Sequence, residues 1–233
     1  MHLRCAAHIH NLIVKEGLHE VNASVACIRN GIQFVRSSTN RLKSFDLRCD
    51  AGKISRGSLP LDVKTRWNST YLMLEQALKF RIAFEKMEAE DKPYNDYFLE
   101  KMDGAKRIGP PMSKDWDAAE ILIQTLAIFY KSTLVLLGSN YVTSHKMYNE
   151  TVNIARNLTA LNTNPMSDEG LKKKAIAMIG KLKKYWDTFG EEVEMNKLVM
   201  VATVFDPRKK MKFVELCFAR MYGSGSVQAV LLF

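Results

Sequence analysis

Apolar residues recur at helical spacing along most of this chain. The pattern predicts helices over about residues 4–16, 21–49, 71–90, 115–137, 144–162, 168–189 and 207–222, and Pro93 starts a further short segment over 94–102. Ser37–Asn40 interrupt the second helix and predict a kink there. We expect eight or nine helices and at most one or two strands, so the predicted fold class is mainly α.

One stretch, Leu59–Leu74, organises the rest of the prediction. Leu59–Leu61 is a short apolar run typical of a buried strand, and helical spacing begins at Tyr71. Between them lie five side chains that are able to cap a helix start: Asp62, Thr65, Asn68, Ser69 and Thr70. We therefore expect Arg66 and Trp67 at a helix N-terminus, at the end of a buried strand.

The Arg66-Trp67 pair allows two interpretations. A guanidinium beside an indole can pair with a phosphate while the ring stacks on a base. Alternatively, Trp67 anchors the core and Arg66 is an ordinary surface charge. Because a Trp buries so much apolar area, the residues by themselves favour this second interpretation.

Composition adds charge to the picture. The net charge is +9 with a pI near 9.3, which favours an acidic partner such as nucleic acid. A hydrophobic content of 47% supports a sizeable core. The longest apolar runs, 118–138 and 197–205, both contain polar or charged residues, so we expect no membrane partner, and we expect the second run to be buried.

Lysines are densest on the helix predicted over 168–189. They are Lys172, Lys173, Lys174, Lys181, Lys183 and Lys184. A soluble helix surface and a rail for the DNA backbone both account for them, and no aromatic residue interleaves with them on the same face. The two interpretations remain open at this point.

Cys5-x-x-His8 has the spacing of half a metal site. No second pair follows at comparable spacing, so a structural cysteine and a hydrogen-bonded histidine are the better interpretation. The chain also has no glycine-rich phosphate loop and no nucleophile motif. We predict no bound metal and no cofactor.

Two motifs carry a family resemblance. Asp62-x-x-Thr65-Arg66-Trp67-Asn68-Ser69-Thr70-Tyr71, preceded by Arg4-Cys5-Ala6-Ala7-His8-Ile9-x-Asn11-Leu12, resembles the hAT transposase superfamily, in particular its domesticated plant members of the ricesleeper and daysleeper type, which carry a BED zinc finger. Likeness continues at Tyr141–Ser144, Lys184–Trp186 and Phe205–Arg208 and covers roughly residues 2–222.

The resemblance implies a domain plan. Residues 1–103 would be the C-terminal part of a ribonuclease H-like core with one or two strands left, and 104–113, with Gly109-Pro110-Pro111, a linker. Residues 114–223 would be the family's all-helical insertion, and 224–233 a divergent tail. We expect the chain to begin in mid-domain.

The resemblance also implies a function. Cys5, His8 and Asp62 match the family's core motif, whereas the three catalytic acids would fall outside residues 1–233, as would the BED finger and the oligomerisation region. Arg66 and Trp67, with Lys64 beside them, match residues that contact DNA, and the lysines of 172–184 would add phosphate contacts. We expect a nuclear DNA-binding remnant with weak sequence specificity and no enzymatic activity. The alternative is a protein-interaction scaffold or a non-functional truncated gene product.

Overall fold

The computed structural model describes residues 5–19, 22–55, 57–63, 65–102, 104–138, 143–165, 169–186 and 197–222. Within them lie eleven helices: α1 (Ala6–His19), α2 (Asn22–Arg36), α3 (Thr39–Ala51), α4 (Trp67–Lys79), α5 (Arg81–Glu90), α6 (Lys92–Leu99), α7 (Ser113–Leu136), α8 (Ser144–Thr163), α9 (Glu169–Trp186), α10 (Lys197–Val204) and α11 (Lys210–Tyr222). Two short strands, β1 (Lys101–Met102) and β2 (Ala105–Lys106), pair antiparallel. The mainly α fold class is confirmed.

Two of the expected helices are each divided into two. The expected helix over 21–49 breaks after Arg36, because the Ser38 hydroxyl accepts from the backbone N–H of Arg41 and starts α3 as its N-cap. The helix expected to run to residue 90 breaks at Phe80, whose buried ring packs against Phe45 at a centroid distance of 5.8 Å. Tertiary packing therefore overrides a continuous helical pattern at that point.

The prediction of a strand at Leu59–Leu61 is wrong. No strand occurs there in the described part of the chain; a guanidinium N–H of Arg36 donates to the Leu59 carbonyl at 2.8 Å. An apolar run next to polar turn residues has the composition of a strand whether or not a partner strand exists.

The chain divides into two compact units. One comprises Met1–Gly17 and Ala127–Phe233, the other Leu18–Leu126. The linker expected at 104–113 lies inside the second unit, where the Asn30 amide donates to the Ile108 carbonyl at 2.8 Å and Gly109 packs against the Phe98 ring. The boundaries given from the sequence for the domains stay a prediction.

Aromatic rings fill the core of the 18–126 unit. Phe84 lies 4.9 Å from Phe45 and 5.5 Å from Trp116, while Tyr94 meets Phe98 edge to face at 5.1 Å. All five side chains are buried. Rings of this size dominate core energetics, so α3, α5, α6 and the start of α7 form a well-defined scaffold.

The other unit has an aliphatic core with a buried histidine. His10 on α1 pairs through Nδ1 with Thr133 Oγ1 at 3.3 Å and meets Phe129 edge to face at 5.9 Å. Burial lowers the pKa of His10 to about 4, so the imidazole is neutral at physiological pH.

Helix α7 has the length and composition of a membrane span, with a mean hydropathy of 1.4 over its most apolar window. Trp116, Leu122, Leu126 and Phe129 on this helix are buried by protein contacts. Since core helices meet the same criteria, the span is weak evidence for a membrane segment, and the expectation of no membrane partner stays a prediction.

Candidate nucleic-acid interface

Arg66 and Trp67 lie at a helix N-terminus, as predicted. α4 begins at Trp67, and Arg66 is its N-cap with an extended backbone (φ −120°, ψ 99°). The backbone N–H groups of Ser69 and Thr70 donate to the Arg66 carbonyl at 2.9 and 3.4 Å. The Arg66 side chain does not cap the helix and is exposed to solvent.

Trp67 is a core residue. Its exposed fraction is 7%, so neither face of the ring is open to a nucleobase in this structure. Trp67 therefore serves as a core anchor in this structure, which gives no support to stacking of its ring on a base.

Asp62 is held by an ion pair on the same segment. Arg29 donates through Nε and Nη2 to Oδ1 and Oδ2, both at 2.6 Å, and Thr70 Oγ1 donates to Oδ2 at 2.9 Å. The Asp62 side chain is 1% exposed. Burial would raise the pKa of Asp62, but the hydrogen bonds from Arg29 and Thr70 and the charge of Arg29 outweigh it and lower that pKa.

The polar residues of this segment therefore stabilise its fold. The Ser69 hydroxyl accepts a hydrogen bond from the backbone N–H of Val63 at 2.9 Å, in addition to the contacts of Asp62 and Thr70. Arg66 differs: within the part of the chain that the structure describes, its side chain makes no hydrogen bond or ion pair. Lys64, the other cation expected to contact DNA here, lies outside the described residues.

The lysines of α9 do not share one environment. Lys173, Lys183 and Lys184 are exposed, whereas Lys174 is only 7% exposed. Two others are ion-paired: Lys172 Nζ lies 2.6 Å from Glu169 Oε1, and Lys181 Nζ lies 3.0 Å from Glu16 Oε2. The exposed cationic face of α9 is therefore narrower than the sequence suggested.

Lys173 and Lys184 share a face of α9. They are eleven residues apart, which is three helical turns and about 17 Å along the axis. Lys183 is also exposed and lies about 100° around the helix axis from Lys184. We call Lys173, Lys183 and Lys184 the α9 lysine face.

The arginines of α2 and α3, by contrast, are used within the fold. Besides Arg29 and Arg36, Arg41 lies 4.1 Å above the Phe34 ring, and Arg48 pairs with Asp91 at 3.3 Å. Each of these guanidinium groups fixes a neighbouring segment. They are therefore poor candidates for contacts with an external phosphate.

Cys5 and His8 are both exposed, Cys5 just before α1 and His8 on it. Among the described residues, no three or more His, Cys, Asp or Glu side chains are grouped so as to hold a metal ion. The prediction that Cys5, His8 and Asp62 form one core motif is not tested by these positions.

The sequence analysis missed a second exposed segment. α11 begins at Lys210, not at Pro207, and residues 205–209 form a turn in which Phe205 is 81% exposed. The expectation that Lys197–Phe205 is buried is thus wrong at Phe205, and also at Val201, which is 44% exposed. The signal available was an aromatic followed closely by four cations, Arg208, Lys209, Lys210 and Lys212.

Comparison with known proteins supplies the family. The model of the ZBED1 RNase-like helical domain matches residues 3–125, more than half of the chain, and that of the hAT-like transposase RNase-H fold matches residues 145–231. The chain belongs to the hAT transposase family. The family resemblance read from the sequence is confirmed, including a partial ribonuclease H-like region beside helical sequence.

The named relatives are plant proteins. Zinc finger BED domain-containing protein RICESLEEPER 2 of Oryza sativa subsp. japonica is 29% identical over 222 residues, covering 95% of this chain and 28% of the relative. A putative AC transposase of Zea mays is 30% identical, covering 95% and 25%. DAYSLEEPER of Arabidopsis thaliana is 26% identical, covering 71% and 21%. No solved structure matches.

This hAT family chain spans between a fifth and three tenths of the length of these relatives. The helical-domain model matches residues 3–125, and the RNase-H model matches residues 145–231. The domain plan predicted from the sequence has the reverse order, with the ribonuclease H-like part at 1–103 and the helical domain at 114–223.

Proposed function

We propose that this hAT family chain binds DNA through the phosphate backbone and does not cleave it. One observation carries the proposal: within the Asp62–Tyr71 motif, Arg66 is directed to solvent while Asp62, Ser69, Thr70 and Trp67 are used by the fold. A guanidinium at a helix N-terminus, where the helix dipole is positive, suits a phosphate.

The α9 lysine face supports the same function in the other unit. Three exposed ammonium groups on one helix favour binding without base readout, because phosphate contacts carry no sequence information. A net charge of +9 adds long-range attraction for a polyanion. We propose weak sequence specificity and action in the nucleus, where DNA is found.

The absence of cleavage is proposed from the state of the carboxylates. Asp62 is held by Arg29 and Thr70, and Asp206 by Arg208. A two-metal nuclease needs carboxylates whose oxygens are available to the metal ions. We expect supercoiled plasmid to stay intact with Mg²⁺ or Mn²⁺; nicking that survives purification and disappears in an Asp62→Ala variant shown to be folded would contradict this.

Arg66 is tested by the salt dependence of binding to a labelled duplex. Each phosphate contact contributes about 0.9 to the slope of log Kobs against log salt. We expect Arg66→Gln to weaken binding and to reduce the slope by about one. Lys43→Gln on α3 is the control, since it removes the same charge from an exposed position of the same unit.

The α9 lysine face is tested in the same titration. We expect the triple variant Lys173→Gln, Lys183→Gln, Lys184→Gln to reduce the slope by about two to three. The matched control removes three charges from the same unit at Lys131, Lys172 and Lys181, two of which are ion-paired.

The outcomes separate binding at these sites, binding by total charge alone, and no backbone binding. Equal reductions of the salt slope in both triple variants would mean that only total charge matters. Binding that does not vary with salt would refute backbone recognition, and the same chain acting as a protein-interaction scaffold would then be the better hypothesis.

A further inference from the structure

The turn between α10 and α11 presents an aromatic side chain to solvent. Phe205 is 81% exposed, and among the Phe, Tyr and Trp side chains whose burial the structure describes, no other is exposed. Single exposed apolar side chains are common on protein surfaces, so what this ring could contact depends on the groups around it.

Asp206 fixes the shape of this turn. Its carboxylate accepts from Nε and Nη2 of Arg208 at 2.9 and 3.0 Å and from the Arg208 backbone N–H at 3.1 Å. These hydrogen bonds lower the pKa of Asp206 to about 2, so the carboxylate stays ionised. The Arg208 side chain is nevertheless 74% exposed, which leaves its outer N–H groups available to a second anion.

A shallow hollow of about 550 Å³ lies beside the ring. Ser144 and His145 from the first turn of α8 form one side of it, and Ala202 and Pro207 form others. The volume falls within the range of about 300–1,000 Å³ usual for small-ligand sites. Its wall combines an apolar ring with a guanidinium, the carboxylate of Asp206 that pairs with it, a hydroxyl and an imidazole.

The residues after the hollow are strongly basic. Arg208, Lys209, Lys210 and Lys212 follow Phe205 within seven positions, and no acid occurs between Asp206 and Glu215. Arg208, Lys210 and Lys212 are exposed. The protein–protein interface core is depleted in lysine, so a ring surrounded by lysines suits a polyanion better than a protein partner.

We propose that Phe205 stacks on an unpaired base of a DNA strand whose phosphates lie on Arg208 and the lysines after it. The proposal rests on the DNA binding proposed above and adds a preference for single-stranded or frayed DNA. Aromatic stacking combined with a basic track is the usual mode for single strands, whereas a base inside an intact duplex has no free face to offer.

The test compares a single-stranded oligothymidine with a duplex of the same length, by fluorescence anisotropy at fixed salt. Phe205→Ala should weaken single-strand binding about 5- to 140-fold, the range given by the loss of one stacked base, and leave duplex binding within about twofold. Phe205→Trp, which keeps an aromatic ring at this position, should bind single strands as the parent does. Ile176→Ala is the matched control, since Ile176 is a 56% exposed apolar residue of the same unit.

The outcomes distinguish this site from the general proposal. If Phe205→Ala binds single strands as the parent does, while duplex binding keeps its salt dependence, the stacking site is refuted and backbone binding stands. If no DNA binds at any salt concentration, both are refuted. If the substitution changes only self-association in sedimentation experiments, the ring is a protein contact and the stacking proposal fails.

Discussion

The ion pair between Asp62 and Arg29 allows a decisive test of what the motif carboxylate does. The Asp62 side chain is 1% exposed and that of Arg29 14%, and three hydrogen bonds of 2.6 to 2.9 Å converge on the carboxylate. Removing one member of a buried pair costs about 3 to 5 kcal/mol, because the other charge stays buried without compensation.

We expect Asp62→Asn to lower the free energy of unfolding by about 3 kcal/mol, at the low end of that range because Arg29 keeps some contact with water. Arg29→Met should cost a similar amount. The double variant should recover part of the loss, with a coupling of about 1 to 3 kcal/mol. Urea unfolding followed by circular dichroism measures all four proteins, and Asp96→Asn, at a surface pair with Lys92, should change stability by less than about 1 kcal/mol.

A metal-binding carboxylate would give the opposite result. Carboxylates grouped to hold a cation repel one another without it, so Asp62→Asn would then stabilise the metal-free protein and abolish any stabilisation by Mg²⁺. A stabilising Asp62→Asn, or a coupling with Arg29 near zero, would refute the structural role argued above.

Two further predictions concern stability. Burial lowers the pKa of His10 from 6.5 to about 4, so the unfolded chain binds more protons between these values and stability falls as pH drops through that window. The loss should reach about 3 kcal/mol near pH 4. The difference in stability between the parent and a folded His10→Gln variant should therefore shrink or reverse on acidification from pH 7.5 to 5, and a difference that stays constant would contradict this. Gly109 has φ +120°, and an added Cβ would lie 2.6 Å from the Phe98 ring, so Gly109→Ala should cost at least about 2 kcal/mol in thermal or urea unfolding. Gly104→Ala, at φ +80° with open space around it, should cost about 1 kcal/mol; equal losses would show that the ring contact is unimportant.

Helical periodicity predicted most of the secondary structure, because α-helix positions depend on local spacing. It failed where the cause is tertiary. The break at Phe80 depends on a ring from α3, and the unpaired course of Leu59–Leu61 depends on the absence of a neighbouring strand. Neither fact is encoded within a local window of sequence.

The candidate site was only partly predictable for a related reason. The position of Arg66 and Trp67 at a helix start follows from local pattern, but which of them faces solvent depends on the three-dimensional core. Equally, a count of lysines on α9 does not show that Glu16 and Glu169 neutralise two of them. The turn at Phe205 was missed because an apolar run was taken to be buried to its end.

The same reasoning explains why a family motif can be mainly structural. The side chains of Asp62, Ser69 and Thr70 hold this segment and α2 in place, which is costly to disrupt whatever the protein does. A motif of this kind can therefore persist for its fold, and its function must be argued from the residues that the fold does not use. Here that residue is Arg66. In the other unit, the α9 lysine face and Phe205 are proposed because they are exposed, and each is likewise tested by substitutions at exposed positions.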